Sequence, residues 1–204
     1  MNAQFRIGHF SPNAPAVDIH VNGESLVEDV SFGTLSNYTD VEAGTYEIDV
    51  VPAAGGDAVL SATLDLDSDM SYSILAINAL EDIEALVLTD EQPAVEASDA
   101  RLRFVHLVPD APAVDVWGEG TPLCENVAFG DSSPFATVEA DAYDIDVRPA
   151  GSEDSVLSLS DVNFEGATSY TVFATGMLED GSLDALLVAD YVTADADDHA
   201  VASQ

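Results

Sequence analysis

Residues 9–23 read HFSPNAPAVDIHVNG, and residues 106–120 read HLVPDAPAVDVWGEG. The likeness extends well beyond the phrase. Arg6–Ala53 aligns with Arg103–Ala150 without a gap, and 24 of the 48 positions are identical. Further on, SYSILA (71–76) aligns with SYTVFA (169–174), and EALVLTD (84–90) with DALLVAD (184–190). The chain is a tandem duplication. A fold written twice must close its own core and satisfy its own backbone in each copy. Two domains are therefore expected, at 1–92 and 101–193, joined by a linker at 93–100 within EQPAVEASD and followed by an acidic disordered tail at 194–204.

Each copy reads as all-β. Val17, Ile19 and Val21 alternate with Asp18 and His20; Tyr46, Ile48 and Val50 alternate with Glu47 and Asp49; and Leu60, Ala62, Leu64 and Leu66 alternate with polar residues. Such spacing puts one face of a strand in a core and the other in water. SPNAP, VNGE, EAGT, AAGGD and DSDM mark turns between the runs. About seven short strands per copy, with turns about every 8–12 residues, fit two tandem immunoglobulin-like antiparallel β-sandwich domains. The repeated phrase would be a corner. Its prolines forbid ladder hydrogen bonds, so FRIGHF and AVDIHV are expected to be strands joined by an extended bend.

Charge sets the surface. The chain carries 39 acidic residues against four arginines and no lysine, for a net charge of −35. The acids interleave with Val, Ile, Leu and Phe, which argues for a folded chain with a carboxylate-covered exterior and against disorder. Such a surface repels itself until salt screens it, so the composition points to a halophile. No basic patch is available for nucleic acid, and no apolar run reaches the length of a transmembrane helix. MNAQFRIGHF does not read as an export signal. The single cysteine, Cys124, lies among apolar residues in TPLCENVAF and is expected to be a small buried hydrophobe.

The pattern H-x-x-P-x-A-P-x-V-D, then A/S-F-G, then V-x-A-G-x-Y-x-I-x-V-x-P-A, resembles the DUF4397 domain family, and both copies carry most of it. The resemblance implies a secreted or surface-anchored module, often present as tandem copies, with no established enzymatic activity. Two departures stand out. Asp141-Ala142 replaces Gly44-Thr45 in the second copy, and the export signal usual in the family is missing.

Candidate chemistry is sparse. His9 with Asp18, and His106 with Asp115, could form a catalytic or metal dyad. The structural alternative has each imidazole bonding either the Asp or the backbone of the corner formed by Pro12 and Pro15, or by Pro109 and Pro112, and this reading is favoured. No Cys nucleophile recurs at equivalent places, since Val27 stands where the second copy has Cys124. Trp117 replaces His20 and is either edge packing or an aromatic contact for a partner. Asp65, Asp67 and Asp69 have the spacing that opens a calcium loop, yet Met70 and Ala76 stand where that loop wants Gly and Glu. No cofactor is expected beyond loosely held Ca2+, Na+ or K+. Asn37-Tyr38-Thr39 is a glycosylation sequon, of consequence only if the chain is exported.

The expected function is non-enzymatic: a structural or adhesive surface-display module of a halophile, on the cell envelope or another outer surface. Its partners would be proteins, or further copies in a homo-oligomer, met through loops or sheet edges, without nucleic acid or membrane insertion. The alternative is a decoration or spike subunit on the virion of a halophilic virus, which assembles inside the cell and needs no leader. A cation-binding module is the minor alternative, and an enzyme built on the His–Asp corners has the least support.

Overall fold

The computed structural model describes residues 2–193; the expected tail at 194–204 lies outside the described residues. The first copy forms nine strands: β1 (Asn2–His9), β2 (Val17–Val21), β3 (Glu24–Val30), β4 (Thr34–Leu35), β5 (Thr39–Glu42), β6 (Gly44–Pro52), β7 (Leu60–Leu66), β8 (Ser71–Ile77) and β9 (Glu84–Thr89). The second forms eight: β10 (Asp99–His106), β11 (Val114–Gly118), β12 (Thr121–Val127), β13 (Ala136–Glu139), β14 (Ala142–Pro149), β15 (Leu157–Asn163), β16 (Thr168–Thr175) and β17 (Asp184–Val192). One 3₁₀ turn, Leu80–Asp82, is the only helical element among the described residues. Residues 91–98 form no strand.

The fold is all-β, a tandem pair of immunoglobulin-like sandwiches. In the first copy β3-β2-β6-β7 form an outer sheet and β4-β1-β8-β9 an inner one, with β5 also paired to β1. In the second copy β12-β11-β14-β15 and β13-β10-β16-β17 repeat the arrangement. The outer sheets are antiparallel throughout. The inner sheets are mixed, because β1 runs parallel to β8 and β10 parallel to β16. Parallel neighbours need a long crossover, and the strands of the outer sheet supply it.

Alternation becomes burial as the spacing implies. Val17, Ile19, Ile48 and Val50 point inward from the outer sheet and meet Phe5, Ile7 and Ile74 of the inner one. The second core repeats this with Val114, Val116, Ile145 and Val147 against Leu102, Phe104 and Val172. β8 and β16 break the alternation, since every one of their residues is buried. The reason is a third apolar layer. Phe10, Leu75, Ile77 and Leu88 of the first copy pack against Val105, Leu107 and Phe173 of the second. Four sheets thus stack as outer, inner, inner, outer, and the two sandwiches share a core between their inner sheets.

Candidate functional site

Each proline corner carries the chain from an inner sheet to an outer one, from β1 to β2 and from β10 to β11. His9 and His106, the last residues of β1 and β10, are fully buried there. His9 Nε2 lies 3.1 Å from the Pro15 carbonyl, and its Nδ1 lies 3.4 Å from the Ser11 N–H. His106 repeats this with Pro112 at 3.0 Å and Val108 at 3.3 Å. A carbonyl only accepts and an N–H only donates, so both rings are neutral with the proton on Nε2. Burial pulls both imidazoles below their ordinary pKa of 6.5, against the opposing effect of the Pro15 and Pro112 carbonyls. Phe32 and Phe129 meet the rings edge-on at 6.4 Å.

The histidines are not paired with the aspartates of the motif. Asp18 Oδ1 accepts the Asp29 N–H at 2.8 Å. Asp115 accepts the N–H groups of Asn126 and Gly151, at 2.7 and 2.9 Å. Both ring nitrogens of each imidazole are engaged by the backbone. Pro12 lies in the bend between β1 and β2, and Pro109 in that between β10 and β11.

The remaining sequence candidates are scattered. Trp117 lies half-buried on the outward face of β11, with the Arg148 guanidinium 5.0 Å from its ring centroid. Asp65 accepts the Thr45 hydroxyl at 2.6 Å, while Asp67 and Asp69 stand exposed in the turn after β7. Among the described residues no three His, Cys, Asp or Glu side chains gather into a group able to hold a metal ion. Burial pushes the Cys124 thiol up to about 11, so it is a poor nucleophile at neutral pH.

The densest polar cluster is one to which the sequence reading assigned no role. Arg6 and Arg103 are both 3% exposed and face each other across the layer between the inner sheets. Arg6 Nε donates to Ser73 Oγ at 2.7 Å, and its Nη2 to Asp190 of the other copy. Arg103 Nε donates to Thr171 Oγ1 at 2.9 Å, and its Nη2 to Asp90 of the other copy. Ser73 then donates to Asp90 and Thr171 to Asp190. The six side chains close a ring. Repeat alignment makes Arg6 equivalent to Arg103, Ser73 to Thr171 and Asp90 to Asp190. The ring therefore has the reciprocal form of a two-fold interface, in which residue i meets j and j meets i.

Aromatic rings complete the ring's surroundings. Arg6 lies 4.7 Å from the centroid of Tyr38, and Arg103 lies 5.1 Å from that of the equivalent Phe135. The Tyr38 hydroxyl adds a 2.7 Å bond to Asp90 that Phe135 cannot copy for Asp190. Burial pushes the Asp190 carboxyl up, against the pull of Arg6 and of the Thr171 hydroxyl. Two signals pointed to this cluster. Two of only four arginines and lysines occupy equivalent sites inside apolar strands, and each Asp follows a mostly apolar stretch, in EALVLTD or DALLVAD.

These features define a tandem β-sandwich protein whose repeated motif builds corners and whose buried charges join its halves. The chain belongs to the family described as Domain of unknown function (DUF4397), which it matches over residues 3–117 and again over 103–202. No curated protein matches it in sequence. Among solved structures it is similar to a streptococcal virulence factor described for alpha-glucan binding, at 14% identity over 89% of this chain and 95% of that one, with a TM-score of 0.28. It is similar too to a family 26 carbohydrate-binding module of Eubacterium rectale in complex with maltoheptaose, at 10% identity over 92% and 96%, with a TM-score of 0.28. Superpositions this loose carry no functional argument.

Proposed function

We propose that the chain is a non-enzymatic display and adhesion module working at an outer surface, with its two sandwiches acting as one rigid block. The observation behind this reading is how its polar chemistry is employed. Both His–Asp corners are committed to backbone bonds, and the buried charges are committed to joining the halves. The exposed faces keep acids and hydroxyls suited to solubility and surface contact. Contacts would run through the loops and the free edges of the outer sheets, β3, β7, β12 and β15.

The test uses beads carrying the whole chain in molar salt, offered to envelopes of the cells that produce it. Retention well above that of beads carrying an unrelated protein of equal negative charge is expected. Equal retention would remove the adhesive reading. A second arm labels intact cells with a membrane-impermeant amine reagent. Failure to label the chain's amino terminus on intact cells, with labelling after lysis, would remove the outer-surface location.

A further inference from the structure

The second sandwich contains a cavity of about 460 Å³ between its two sheets. Phe104 and Val172 line it from the inner sheet, and Val116 and Ile145 from the outer sheet. It runs from the flank of β12 and β13, where Cys124 and Ser133 lie, to the flank of β15 and β17. Ligand pockets fall in the range of about 300–1,000 Å³, with apolar walls and a few polar groups. A folded core ordinarily fills such space with side chains.

The two copies differ along this wall. At the flank of β12 and β13, Val27 and Thr39 of the first sandwich are replaced by the smaller Cys124 and Ala136; elsewhere Phe5 and Ile19 give way to the smaller Leu102 and Val116, and Ile7, Ala62, Leu66 and Val87 to the larger Phe104, Leu159, Phe164 and Leu187. The strand pairing differs as well. Between β6 and β7 the register runs evenly from Ile48↔Ala62 to Tyr46↔Leu64. Between β14 and β15 it passes from Ile145↔Leu159 to Tyr143↔Val162, so β15 carries one extra residue. That bulge puts Asp161 in the left-handed region, at φ 58°, and both Ser160 and Asp161 reach the rim of the cavity.

We propose that this cavity binds an uncharged, mostly hydrocarbon molecule with a single chain and a hydroxyl-type head group. The walls exclude a polar occupant, because a buried polar group without a partner is costly. The head group is set by the rim. Ser160 can hydrogen-bond an alcohol, and Ser133 and Ser158, whose protons go to the Pro134 carbonyl and to Asp146, can only accept from one, whereas Asp161, in a chain of net charge −35, repels a carboxylate. The first sandwich, with the larger Val27 and Thr39 at this flank and an even register, does not take this ligand.

The probe is the uncharged dye N-phenyl-1-naphthylamine, followed by fluorescence with the whole chain in molar salt. Binding is expected, with displacement by 1-decanol and at least tenfold weaker displacement by sodium decanoate. Cys124→Phe fills one end of the cavity and should weaken dye binding at least tenfold. Ala136→Phe serves the same purpose if the first variant does not fold, and Val27→Phe, at the matching site of the first sandwich, should leave binding unchanged. Saturating 1-decanol should also slow alkylation of Cys124, the only cysteine, by N-ethylmaleimide. Dye binding unaltered by both filling variants, or Cys124 alkylation at an unchanged rate under saturating 1-decanol, would overturn the site. Equal displacement by decanol and decanoate would overturn the assignment of an uncharged ligand.

Discussion

The two sandwiches share a motif, a topology and half of their aligned residues, yet the apolar layer where they touch is not symmetric. On the shared layer Gly8 stands opposite its counterpart in the alignment, Val105, as Phe10 does to Leu107 and Leu75 to Phe173. Phe10 and Phe173 stack with centroids 5.3 Å apart, so large side chains from one position in each copy meet where the two-fold mates are leucines. A Cβ on Gly8 would come within 2.6 Å of Phe10 and 2.7 Å of Leu75. The charged ring keeps the symmetry that the apolar layer has lost. Hydrogen bonding requires complementary partners at fixed geometry, whereas an apolar layer accepts any set of side chains of the right summed volume. The interface therefore looks like a dimer contact that became intramolecular, with the ring preserved and the packing free to drift.

The strongest way to break the comparison is to unpair the ring on one side. Removing one partner of a buried ion pair strands the other charge and costs about 3–5 kcal/mol. Asp90 accepts from Arg103, Ser73 and Tyr38 and lies 3.7 Å from Arg6, while Asp190 accepts from Arg6 and Thr171. Arg6→Met, which leaves Asp190 with only the Thr171 hydroxyl, should destabilise the chain by about that amount, and Arg103→Met by less, because Asp90 keeps Ser73, Tyr38 and the nearby Arg6. Denaturant unfolding in high salt measures both. The double variant Arg103→Met with Asp90→Leu should regain most of the loss. Equal costs for the two single variants would mean that the Tyr38 bond adds nothing to the asymmetry.

A smaller effect tests the divergence of packing. Gly8→Val gives the first copy the side chain that the second carries at the same place. Overpacking of this kind costs about 1–3 kcal/mol, and adding Phe10→Leu, the second copy's residue, should recover part of it by withdrawing the ring nearest the new Cβ. An additive double variant would show that Phe10 is not what makes glycine necessary.

Much of the fold was legible because strands announce themselves by alternation, and Val17-Asp18-Ile19 or Leu64-Asp65-Leu66 could hardly serve otherwise. Turn chemistry placed the bends. Two things were not legible. Nothing local distinguishes a strand pairing in parallel from one pairing antiparallel, so the β1–β8 and β10–β16 neighbours lay outside what pattern reading offers. The docking of the copies was hidden because its partners are far apart in the chain; Arg6 and Asp190 are 184 residues distant. The clue was available in FRIGHF, where apolar residues flank a buried arginine on both strand faces. The corners show the opposite case. The proline spacing pointed to a bend, but proximity in the motif suggested a His–Asp pairing that the chain does not make, since side chains neighbouring in sequence turn toward different backbone groups.

The gentlest probe is a proton. His9 and His106 are held neutral in the fold below their ordinary pKa of 6.5, chiefly by burial. Below about pH 6.5 the unfolded chain takes up protons that the folded chain refuses, so stability is complete above that pH and declines as pH falls through the window down to the folded-state values. Carboxylates at their ordinary pKa values near 4 contribute little in the upper part of this window, and Asp190, which burial raises, works against the decline. Denaturant midpoints measured from pH 7.5 to 5.5 at constant high salt should therefore fall, and His9→Gln and His106→Gln should each remove part of the slope while lowering stability at pH 7.5. Each glutamine can keep only one of the two backbone bonds, and a buried group left unpaired costs about 1–3 kcal/mol. Because the two corners have matching distances and partners, the two variants should behave alike. If only one flattens the slope, the corners are not equivalent, and the reading that each copy needs its histidine for the same bend fails.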